Sequence, residues 1–438
     1  MRTLNANDLS TVLRRLPGVP RVVTGGNGAT PRALLGVLDA CVPTYRLFAL
    51  NAHVGAVPTR ADVVHETPFV GAGVRRSPTL TYVPARLSLV PRLFSGTLVP
   101  DVVCVNVAPE YDGALSLGTE VNVLPAAIEA CRARGGLVLA QVNRHMPWTY
   151  GDGRLDPDLV DYAIEADEPL DEPVTVEPDD AATRIGELVA ARVPDGATLQ
   201  LGIGTVPDAT LAGLLGRRGL RLWTEMFSDG VLELDRAGAL DPQAVLTASF
   251  LLGSQRLYSW VDRNPRVQLL RTETTNAPAR ISEQRSMTSI NTALQVDLFG
   301  QANASRIRAR IHSGFGGQTD FVVGALHAVG GQALMALRSW HPRADVSTVV
   351  ALVDEPVTSV QHTAIVTEQG TAEMFGYDER AQAEHLIERA AHPRVREELR
   401  EEAVALGLRH PGAAHPGARR PAPGRDEPSG GPAGDVGP

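Results

Sequence analysis

Short apolar runs alternate with helix-like segments along most of this chain, and no other feature restricts its fold as strongly. Residues 21–24, 102–107, 137–142 and 198–201 are apolar runs with the length of buried strands. Buried strands separated by helices are typical of layered proteins in which helices cover a mostly parallel sheet. The pattern therefore predicts an α/β protein with largely parallel sheets.

An acidic, proline-rich segment divides the chain between about residues 165 and 180. Its composition is typical of a linker, so we predict one α/β domain over 1–175 and a second over 181–408. Both halves contain a strand, a glycine-rich loop, a proline and a helix, which fits either two related domains or the usual form of βα loops. Residues 409–438 are poor in large apolar side chains, and this composition predicts a disordered tail.

Proline positions predict where several helices begin. Thr30 is expected to cap a helix that starts at Pro31 and runs to about Cys41. A second helix is predicted from about residue 181 to 192, and a third is expected to begin at Pro207.

Composition excludes several classes of function. The net charge of −9 is mild and dispersed, so the 438-residue chain is not expected to bind nucleic acid. It has no apolar stretch of about eighteen residues and no signal-peptide core, so no membrane span is expected. Cys41, Cys104 and Cys131 are odd in number and far apart, which favours reduced thiols in a cytoplasmic protein.

Lysine is missing from the sequence, and all 41 basic residues are arginine. A P-loop nucleotide site needs a lysine, and so does a pyridoxal or other Schiff-base enzyme. Both classes are therefore excluded.

Glu225 is the first candidate catalytic residue. The predicted strand at 220–223 ends just before it, and a Ser-Asp-Gly turn follows. Parallel α/β proteins build their sites at the carboxyl ends of strands, where a glutamate can act as a nucleophile or a base. A solvated surface glutamate is the alternative.

Two glycine-rich segments could approach a ligand closely. In the first, Gly202 and Gly204 precede a helix, but Pro207 stands where a dinucleotide-binding fingerprint requires its third glycine. In the second, Gly314, Gly316 and Gly317 leave successive N–H groups available, as in an oxyanion hole. A tight turn is the alternative for the second segment.

Two further polar residues follow apolar runs. Asn291 could hydrogen-bond a substrate carbonyl or orient a carboxylate, or it could be a structural residue. Glu368 could be a second site carboxylate, or it could cap the next helix.

These segments occur in a fixed order together with several other short blocks. The blocks are Glu66 to Gly71, Tyr82 to Pro84, Ser116 to Gly118, Gly202 to Gly204 with Pro207, Thr224 to Gly230, Ser289 to Asn291, Ser313 to Gln318, Val366 to Gly370, and Ala391 to Pro393. The ordered set, which covers about residues 5 to 405, resembles the acetyl-CoA hydrolase/transferase family, which includes 4-hydroxybutyrate CoA-transferases.

The resemblance implies two similar CoA-transferase-type domains with the site at their interface. It implies that Glu225 is the catalytic nucleophile, that the 314–317 loop donates to the thioester oxygen, and that Asn291 and Glu368 line the site. The residues that the resemblance assigns to catalysis are Glu225, Asn291, Gly316 and Glu368, and those that it assigns to substrate or CoA binding are Gly202, Gly204, Ser313, Gly314, Gly317 and Gln318.

The same resemblance implies an enzyme that transfers CoA between an acyl-CoA and a small carboxylic acid through a glutamyl-CoA thioester. Coenzyme A would be a substrate, no metal or other cofactor would be needed, and the protein would form a homodimer or larger homo-oligomer. An acyl-CoA hydrolase with the same nucleophile and a non-catalytic acyl-CoA-binding paralogue remain as alternatives, and a dehydrogenase is a more distant one. Arginines usual in the family are replaced near Thr348 and Gln361, which bears on the choice of acceptor.

Overall fold

The computed structural model describes residues 1–174 and 176–410. Two large sheets, one on each side of the acidic linker, organise this part of the chain. The other elements are helices that cover the sheets and five small sheets of two or three strands each.

The strands before the linker are β1 (Arg2–Thr3), β2 (Arg21–Thr24), β3 (Tyr45–Ala49), β4 (Val63–Thr67), β5 (Leu80–Tyr82), β6 (Val102–Tyr111), β7 (Ala114–Ser116), β8 (Leu137–Asn143), β9 (Tyr150–Gly151), β10 (Arg154–Leu155) and β11 (Tyr162–Ala166). The strands after it are β12 (Thr198–Gln200), β13 (Arg221–Leu222), β14 (Met226–Phe227), β15 (Leu246–Ala248), β16 (Phe250–Leu251), β17 (Val267–Leu269), β18 (Met287–Asn291), β19 (Gln295–Asp297), β20 (Ala302–Asn303), β21 (Arg306–Ile307), β22 (Arg310–Ile311), β23 (Gln332–Ala336), β24 (Trp340–His341), β25 (Val346–Ser347), β26 (Val349–Val350), β27 (Ala364–Thr367) and β28 (Gly370–Glu373).

The α-helices are α1 (Ala6–Leu13), α2 (Arg32–Cys41), α3 (Val90–Phe94), α4 (Leu124–Ala133), α5 (Asp180–Arg192), α6 (Thr205–Gly213), α7 (Asp229–Arg236), α8 (Gln255–Val261), α9 (Thr272–Thr275), α10 (Pro278–Ser282), α11 (Gln318–His327), α12 (Glu379–His385) and α13 (Arg396–Ala405). Shorter helical turns lie at Leu87–Leu89, Pro157–Leu159, Leu386–Ala390 and Pro393–Val395.

The N-terminal sheet has ten strands, and eight of them follow the order β1-β11-β8-β6-β2-β3-β4-β5 with every neighbouring pair parallel. The other two, β7 and β10, extend it from β6 by antiparallel pairing. Its centre is formed by β8 and the first seven residues of β6, which are buried apart from two half-buried residues of β8. A strand covered on both faces has no polar face, which explains the apolar runs in the sequence.

The C-terminal sheet runs β13-β12-β18-β23-β27-β28, and only the β27–β28 pair is antiparallel. Helices α5 and α6 pack closely beside it because Gly186 has no side chain. A Cβ there would lie 2.6 Å from the backbone carbon of Ala209. The predicted α/β fold with two largely parallel sheets is therefore confirmed, whereas the exact domain bounds at 1–175 and 181–408 stay predictions.

Several predicted helix starts were wrong in detail. Thr30 does not cap α2, because that helix begins at Arg32 with Pro31 in the N-cap position, and the Thr30 hydroxyl donates to the backbone oxygen of Gly25. Pro207 does not begin α6. That helix begins at Thr205, after Gly204, whose φ of 116° only glycine adopts easily.

The two halves are joined by backbone pairing. Strand β9 of the first half pairs in parallel with β17 of the second half. Two further backbone hydrogen bonds cross the boundary: Leu251 N–H donates to Thr119 O, and Val121 N–H donates to Ser249 O. The segments around residues 120 and 250 are therefore held together next to the site described below.

No helix in the described ranges is long and apolar enough to cross a membrane. Cys104 and Cys131 are buried, Cys41 is half-buried, and all three are free thiols. The predicted tail begins at Arg409, whose backbone N–H still bonds to Ala403. Residues 411–438 of that predicted tail lie outside the described residues.

Candidate active site

Glu225 lies where the C-terminal sheet meets a small strand pair. It follows β13 and directly precedes β14. Its backbone oxygen accepts hydrogen bonds from the N–H groups of Ser249 and Phe250, at 2.8 and 3.1 Å. These two hydrogen bonds hold the backbone of Glu225 against the segment at 249–250.

The Glu225 carboxylate has two hydrogen-bond donors. Asn276 Nδ2 lies 3.0 Å from Oε2, and the backbone N–H of Gly317 also donates to the carboxylate. The orientation of the Asn276 amide is set by Thr275, whose hydroxyl donates to Asn276 Oδ1 at 2.8 Å. Asn276 must therefore point its NH₂ group at the carboxylate.

Burial raises the pKa of the Glu225 carboxyl from its ordinary value of 4.5 to about 7. The negative charge of Asp320 raises this pKa further, whereas the hydrogen bonds from Asn276 and Gly317 lower it. Asp320 is itself buried, and burial raises its pKa to about 6. Two carboxyl groups that share a buried site and titrate near neutrality are typical of catalytic centres.

The glycine-rich loop from Ser313 to Gly317 is held against the N-terminal half. Val70 N–H donates to Ser313 O at 2.8 Å, and Leu87 N–H donates to Gly316 O at 2.9 Å. Gly314 pairs with the backbone at Phe69, and a Cβ on Gly314 would lie 2.2 Å from the oxygen of Pro68. The close approach of the two backbones explains why this position is glycine.

Asp320 adds hydrogen bonds to the contact between the glycine-rich loop and the N-terminal half. It is fully buried in the first turn of α11 and accepts hydrogen bonds from the backbone N–H and the hydroxyl of Ser88, at 3.2 and 2.9 Å. Arg86 lies 3.6 Å away and supplies a partial counter-charge. The loop that donates to Glu225 is thus fixed to both halves.

Asn291 ends β18 beside Gln200. Its Nδ2 donates to Gln200 Oε1 at 3.1 Å and to Ser289 Oγ at 2.8 Å. Its donor group is therefore occupied by neighbouring side chains, and its carbonyl oxygen is the atom left for a ligand.

A cavity of about 380 Å³ opens between the two halves in front of Glu225. This volume lies within the range of ligand pockets, about 300 to 1,000 Å³. The residues that line it are Asn27, Leu50, Asn51, Phe69, Leu87, Asn122, Gln200, Leu201, Gly202, Ile203, Val206, Pro207, Glu225, Met226, Phe250, Ile290, Asn291, Thr292, Ala304, Ser313, Gly314, Phe315, Gly316, Gly317, Gln318, Phe321 and Ala336.

Eight of the ten predicted site residues therefore line one cavity. Gly204 lines a neighbouring cavity instead, which lies beneath the linker and shares Ile203 with the first. Glu368 lines neither cavity. It sits in the two-residue turn between β27 and β28, and it accepts a hydrogen bond from Ser339 N–H at 2.9 Å. The next element is a strand, so Glu368 does not cap a helix.

The positions of the replaced arginines also lie away from the cavity wall. Thr348 is buried and donates to the backbone oxygen of Arg338, and Gln361 is exposed. Neither residue is among those that line the cavity in the described part of the chain.

Sequence reasoning missed the partners of Glu225. Asp320 lies two residues after the Ser313 to Gln318 block, and its position at the start of a helix was the available signal. Asn276 had no such signal, because it lies 51 residues from Glu225 in an ordinary Thr-Thr-Asn segment. Sequence analysis also did not identify three asparagines that line the cavity, Asn27, Asn51 and Asn122.

Family models match both halves of the chain. The N-terminal domain model of acetyl-CoA hydrolase/transferase matches residues 56–175, and the C-terminal domain model matches residues 253–403. The chain belongs to the acetyl-CoA hydrolase/transferase family. The family predicted from the ordered blocks is therefore confirmed.

Relatives in this family span most of the chain. The chain is 37% identical over 353 residues to the 4-hydroxybutyrate coenzyme A transferase of Clostridium kluyveri, covering 77% of this chain and 81% of that protein. It is 35% identical over 404 residues to the succinyl-CoA:acetate/propanoyl-CoA:succinate CoA transferase of Fasciola hepatica, covering 86% and 83%. The crystal structure of a 4-hydroxybutyrate CoA-transferase from Porphyromonas gingivalis matches with a TM-score of 0.77 at 30% identity, covering 92% of this chain and 98% of that one.

Proposed function

We propose that this protein is a CoA-transferase that moves CoA from an acyl-CoA to a small carboxylic acid through a glutamyl-CoA thioester on Glu225. The observation that carries the proposal is the Glu225 carboxylate, which lies on the cavity between the two halves and accepts hydrogen bonds from Asn276 and Gly317. Membership of the family and the names of the relatives support the same reaction.

The proposed reaction uses acyl transfer alone. A Glu225 oxygen attacks the thioester carbonyl carbon, the C–S bond breaks, and CoA leaves as a thiolate with an acyl-glutamyl anhydride left behind. The thiolate then attacks the glutamyl carbonyl and expels the donor acid as a carboxylate. A second carboxylic acid reverses both steps and leaves as its CoA ester. Every electron pair is accounted for without a metal or other cofactor.

The donors to Glu225 fit the second step of this scheme. If Oε1 attacks the thioester, Oε2 becomes the carbonyl oxygen of the anhydride and gains negative charge when the thiolate adds. Asn276 Nδ2 lies 3.0 Å from Oε2 before the reaction begins. Preorganised donors at such an oxygen stabilise the tetrahedral intermediate. Asn276 is therefore proposed to act with the Gly317 N–H as the oxyanion hole of the glutamyl carbonyl.

Hydrolysis is the competing outcome at the same residue. Water that reaches the anhydride would release the donor acid, and water that reaches the glutamyl thioester would release CoA, so exclusion of water decides between transferase and hydrolase. The cavity walls are mostly apolar, which favours transfer.

The first test is mass spectrometry of the protein after incubation with acetyl-CoA in the absence of an acceptor. We expect a CoA adduct on the peptide that contains Glu225. Free CoA without an adduct would indicate a hydrolase. Neither an adduct nor free CoA, over several acyl-CoAs, would contradict the proposal and favour a binding paralogue.

Formation of the adduct is expected to depend on pH. Only the ionised carboxylate is a nucleophile, and burial raises the pKa of Glu225 to about 7. The rate should therefore increase between pH 5 and pH 8 with an inflection near 7, measured by rapid quench at subsaturating acetyl-CoA. A flat profile over this range would contradict the assignment.

The variant Asp320→Asn is the matched control for this profile. It removes a negative charge that raises the pKa of Glu225 while keeping the size of the side chain. The inflection should move to lower pH. An unchanged inflection would mean that the observed titration belongs to another group.

We also propose that the enzyme works in the cytoplasm as a homodimer or larger homo-oligomer. The free thiols favour a reducing compartment, although they do not bear on assembly. Light scattering of the purified protein measures its molar mass in solution, and the mass of a monomer at micromolar concentration would contradict the proposed oligomer.

A further inference from the structure

A buried carboxylate lies behind the N-terminal wall of the cavity. Glu120 is 1% exposed and accepts hydrogen bonds from the backbone N–H groups of Gly26 and Asn27, both at 3.1 Å. Two side-chain amides also donate to it, Asn27 Nδ2 at 2.9 Å and Asn122 Nδ2 at 2.8 Å. All four partners are N–H donors, which matches an ionised carboxylate because that form only accepts hydrogen bonds.

One line of hydrogen bonds connects Glu120 to the glycine-rich loop. Asn27 turns its NH₂ group toward the carboxylate and its oxygen toward Asn51, whose Nδ2 donates to it at 3.0 Å. The backbone N–H of Asn51 donates to Phe69 O at 2.9 Å, and Phe69 pairs with Gly314. Glu120 therefore supports the part of the N-terminal half against which the loop is held.

The second amide that Glu120 binds belongs to a residue with an unusual backbone. Asn122 has a φ of 23°, in the left-handed region, which is unfavourable for residues other than glycine. Its side chain is held at both ends, because Nδ2 donates to Glu120 and Oδ1 accepts the N–H of Val123. The hydrogen bond to Glu120 therefore helps to keep the backbone of Asn122 in this conformation.

The backbone of Asn122 contacts both parts of the catalytic centre. Its N–H donates to Ser249 O at 3.0 Å, and the N–H of Ser249 donates to Glu225 O at 2.8 Å. Its carbonyl oxygen accepts the N–H of Thr272, the first residue of α9, at 3.1 Å. Asn276 directly follows α9, and its N–H donates to Thr272 O at 3.0 Å. One residue thus supports the nucleophile and the helix that carries its side-chain donor.

We propose that Glu120 is a positioning residue of the transferase, whose carboxylate holds α9 and Asn276 in place through Asn122. This inference rests on the proposed function. Glu120 is not among the described residues that line the cavity, so it acts on the reaction through its neighbours and not on the substrate. A carboxylate suits this role because the hydrogen bonds that it accepts from N–H donors are shorter and stronger than those of a neutral acceptor.

The variant Glu120→Gln tests the proposal at nearly constant volume. One oxygen becomes an NH₂ group, so at least one of the four donors loses its acceptor and the others lose the charge of theirs. A displacement of about 1 Å at a catalytic group costs on the order of 100-fold in rate, so we expect kcat to fall by at least about tenfold. The KM for acetyl-CoA should stay within about twofold, because the lost interaction acts in the transition state. The assay is the exchange of isotopically labelled acetate into acetyl-CoA, followed by mass spectrometry.

Glu66→Gln is the matched control for general destabilisation. Glu66 is a carboxylate of the same half that is 3% exposed, and it pairs with Arg21 at 2.7 Å and with Arg46 at 2.9 Å. Loss of a partner from a buried ion pair should lower the melting temperature without lowering kcat. Equal losses of kcat in Glu66→Gln and Glu120→Gln would show that destabilisation, and not positioning, explains the effect.

A double-mutant cycle with Asn276→Ala tests whether the effect passes through Asn276. Asn276→Ala should lower kcat by about 100-fold or more, as the loss of an oxyanion donor does. If Glu120 acts through Asn276, addition of Glu120→Gln to this variant should lower kcat by less than about threefold more. Losses that multiply would overturn the positioning role.

Asn122→Gly tests the same link without a change to Glu120, and it also serves if Glu120→Gln does not fold. Glycine adopts the positive φ without strain, and the backbone N–H and oxygen of residue 122 remain. The loss of kcat should again be at least about tenfold. Wild-type kcat in Asn122→Gly would overturn the inference.

The wild-type enzyme separates this inference from the proposed function. If it forms the glutamyl adduct and exchanges acetate while Glu120→Gln keeps its kcat, only the positioning role of Glu120 is overturned. If the wild type forms no adduct and exchanges no acetate, the proposed function fails and this inference fails with it.

Discussion

Replacement of Glu225 by glutamine is expected to lower the rate of CoA transfer by at least about 10⁴-fold, the scale seen when a catalytic nucleophile is removed. The amide keeps the volume of the side chain but is not a nucleophile. Neither an adduct nor free CoA should form, because transfer and hydrolysis share the same first step. Binding of CoA, measured by calorimetry, should persist because most of the cavity wall is unchanged.

Glu225→Asp is the matched control. It keeps the carboxylate but withdraws it by one methylene from Asn276 and Gly317. A displacement of about 1 Å costs on the order of 100-fold in rate, so this variant should lie between the wild type and Glu225→Gln. Wild-type activity in Glu225→Gln, after the mass of the variant has excluded deamidation, would show that another group is the nucleophile.

Gly317→Ala is expected to lower the rate of transfer by about 100-fold while the protein stays folded. An added Cβ would lie 1.9 Å from Glu225 Oε2 and 2.2 Å from Asn276 Nδ2, so the catalytic carboxylate or its donor must move. Gly317 has φ −98° and ψ −1°, which alanine adopts without strain. The requirement for glycine therefore comes from space next to Glu225 and not from the backbone.

Gly202→Ala is the comparison within the same cavity. A Cβ at Gly202 would meet only Pro207 Cγ, at 3.7 Å, which is an ordinary contact. Its loss of activity should be much smaller than that of Gly317→Ala. Circular dichroism melts of both variants check the fold. Equal losses in the two variants would contradict the special role of the space beside Glu225.

Much of the fold could be predicted because buried parallel strands have an unambiguous composition. Strand Arg21–Thr24 agrees with its prediction, β8 extends one residue beyond its prediction, and β6 begins as predicted but continues to Tyr111. Helix starts were less predictable, because Thr30 and Pro207 obey local rules that other contacts override. The hydroxyl of Thr30 donates to Gly25 O, and no side chain accepts a hydrogen bond from the N–H groups at the start of α2.

The site was partly predictable for a different reason. Glu225 and the loop from Gly314 to Gly317 are short segments with unusual composition, so they are visible one at a time. Glu368 had the same appearance, a carboxylate after an apolar strand, yet it lies in a hairpin turn and binds Ser339. The local sequence does not distinguish Glu225 from Glu368. They differ in the groups that surround them in the folded chain, Asn276 and Asp320 at Glu225 and Ser339 at Glu368.

The sequence by itself determined the α/β class, the family, the absence of lysine chemistry and the candidate nucleophile, because each depends on local composition or on blocks in a fixed order. Only the tertiary structure decided that Asn276 and Asp320 set the properties of Glu225, and that Glu120 orients Asn27 and Asn51 toward the cavity. These contacts join residues 24 to 95 positions apart. Hydrogen bonds and charges act over a few ångströms in space, so their partners become known only when the chain is folded.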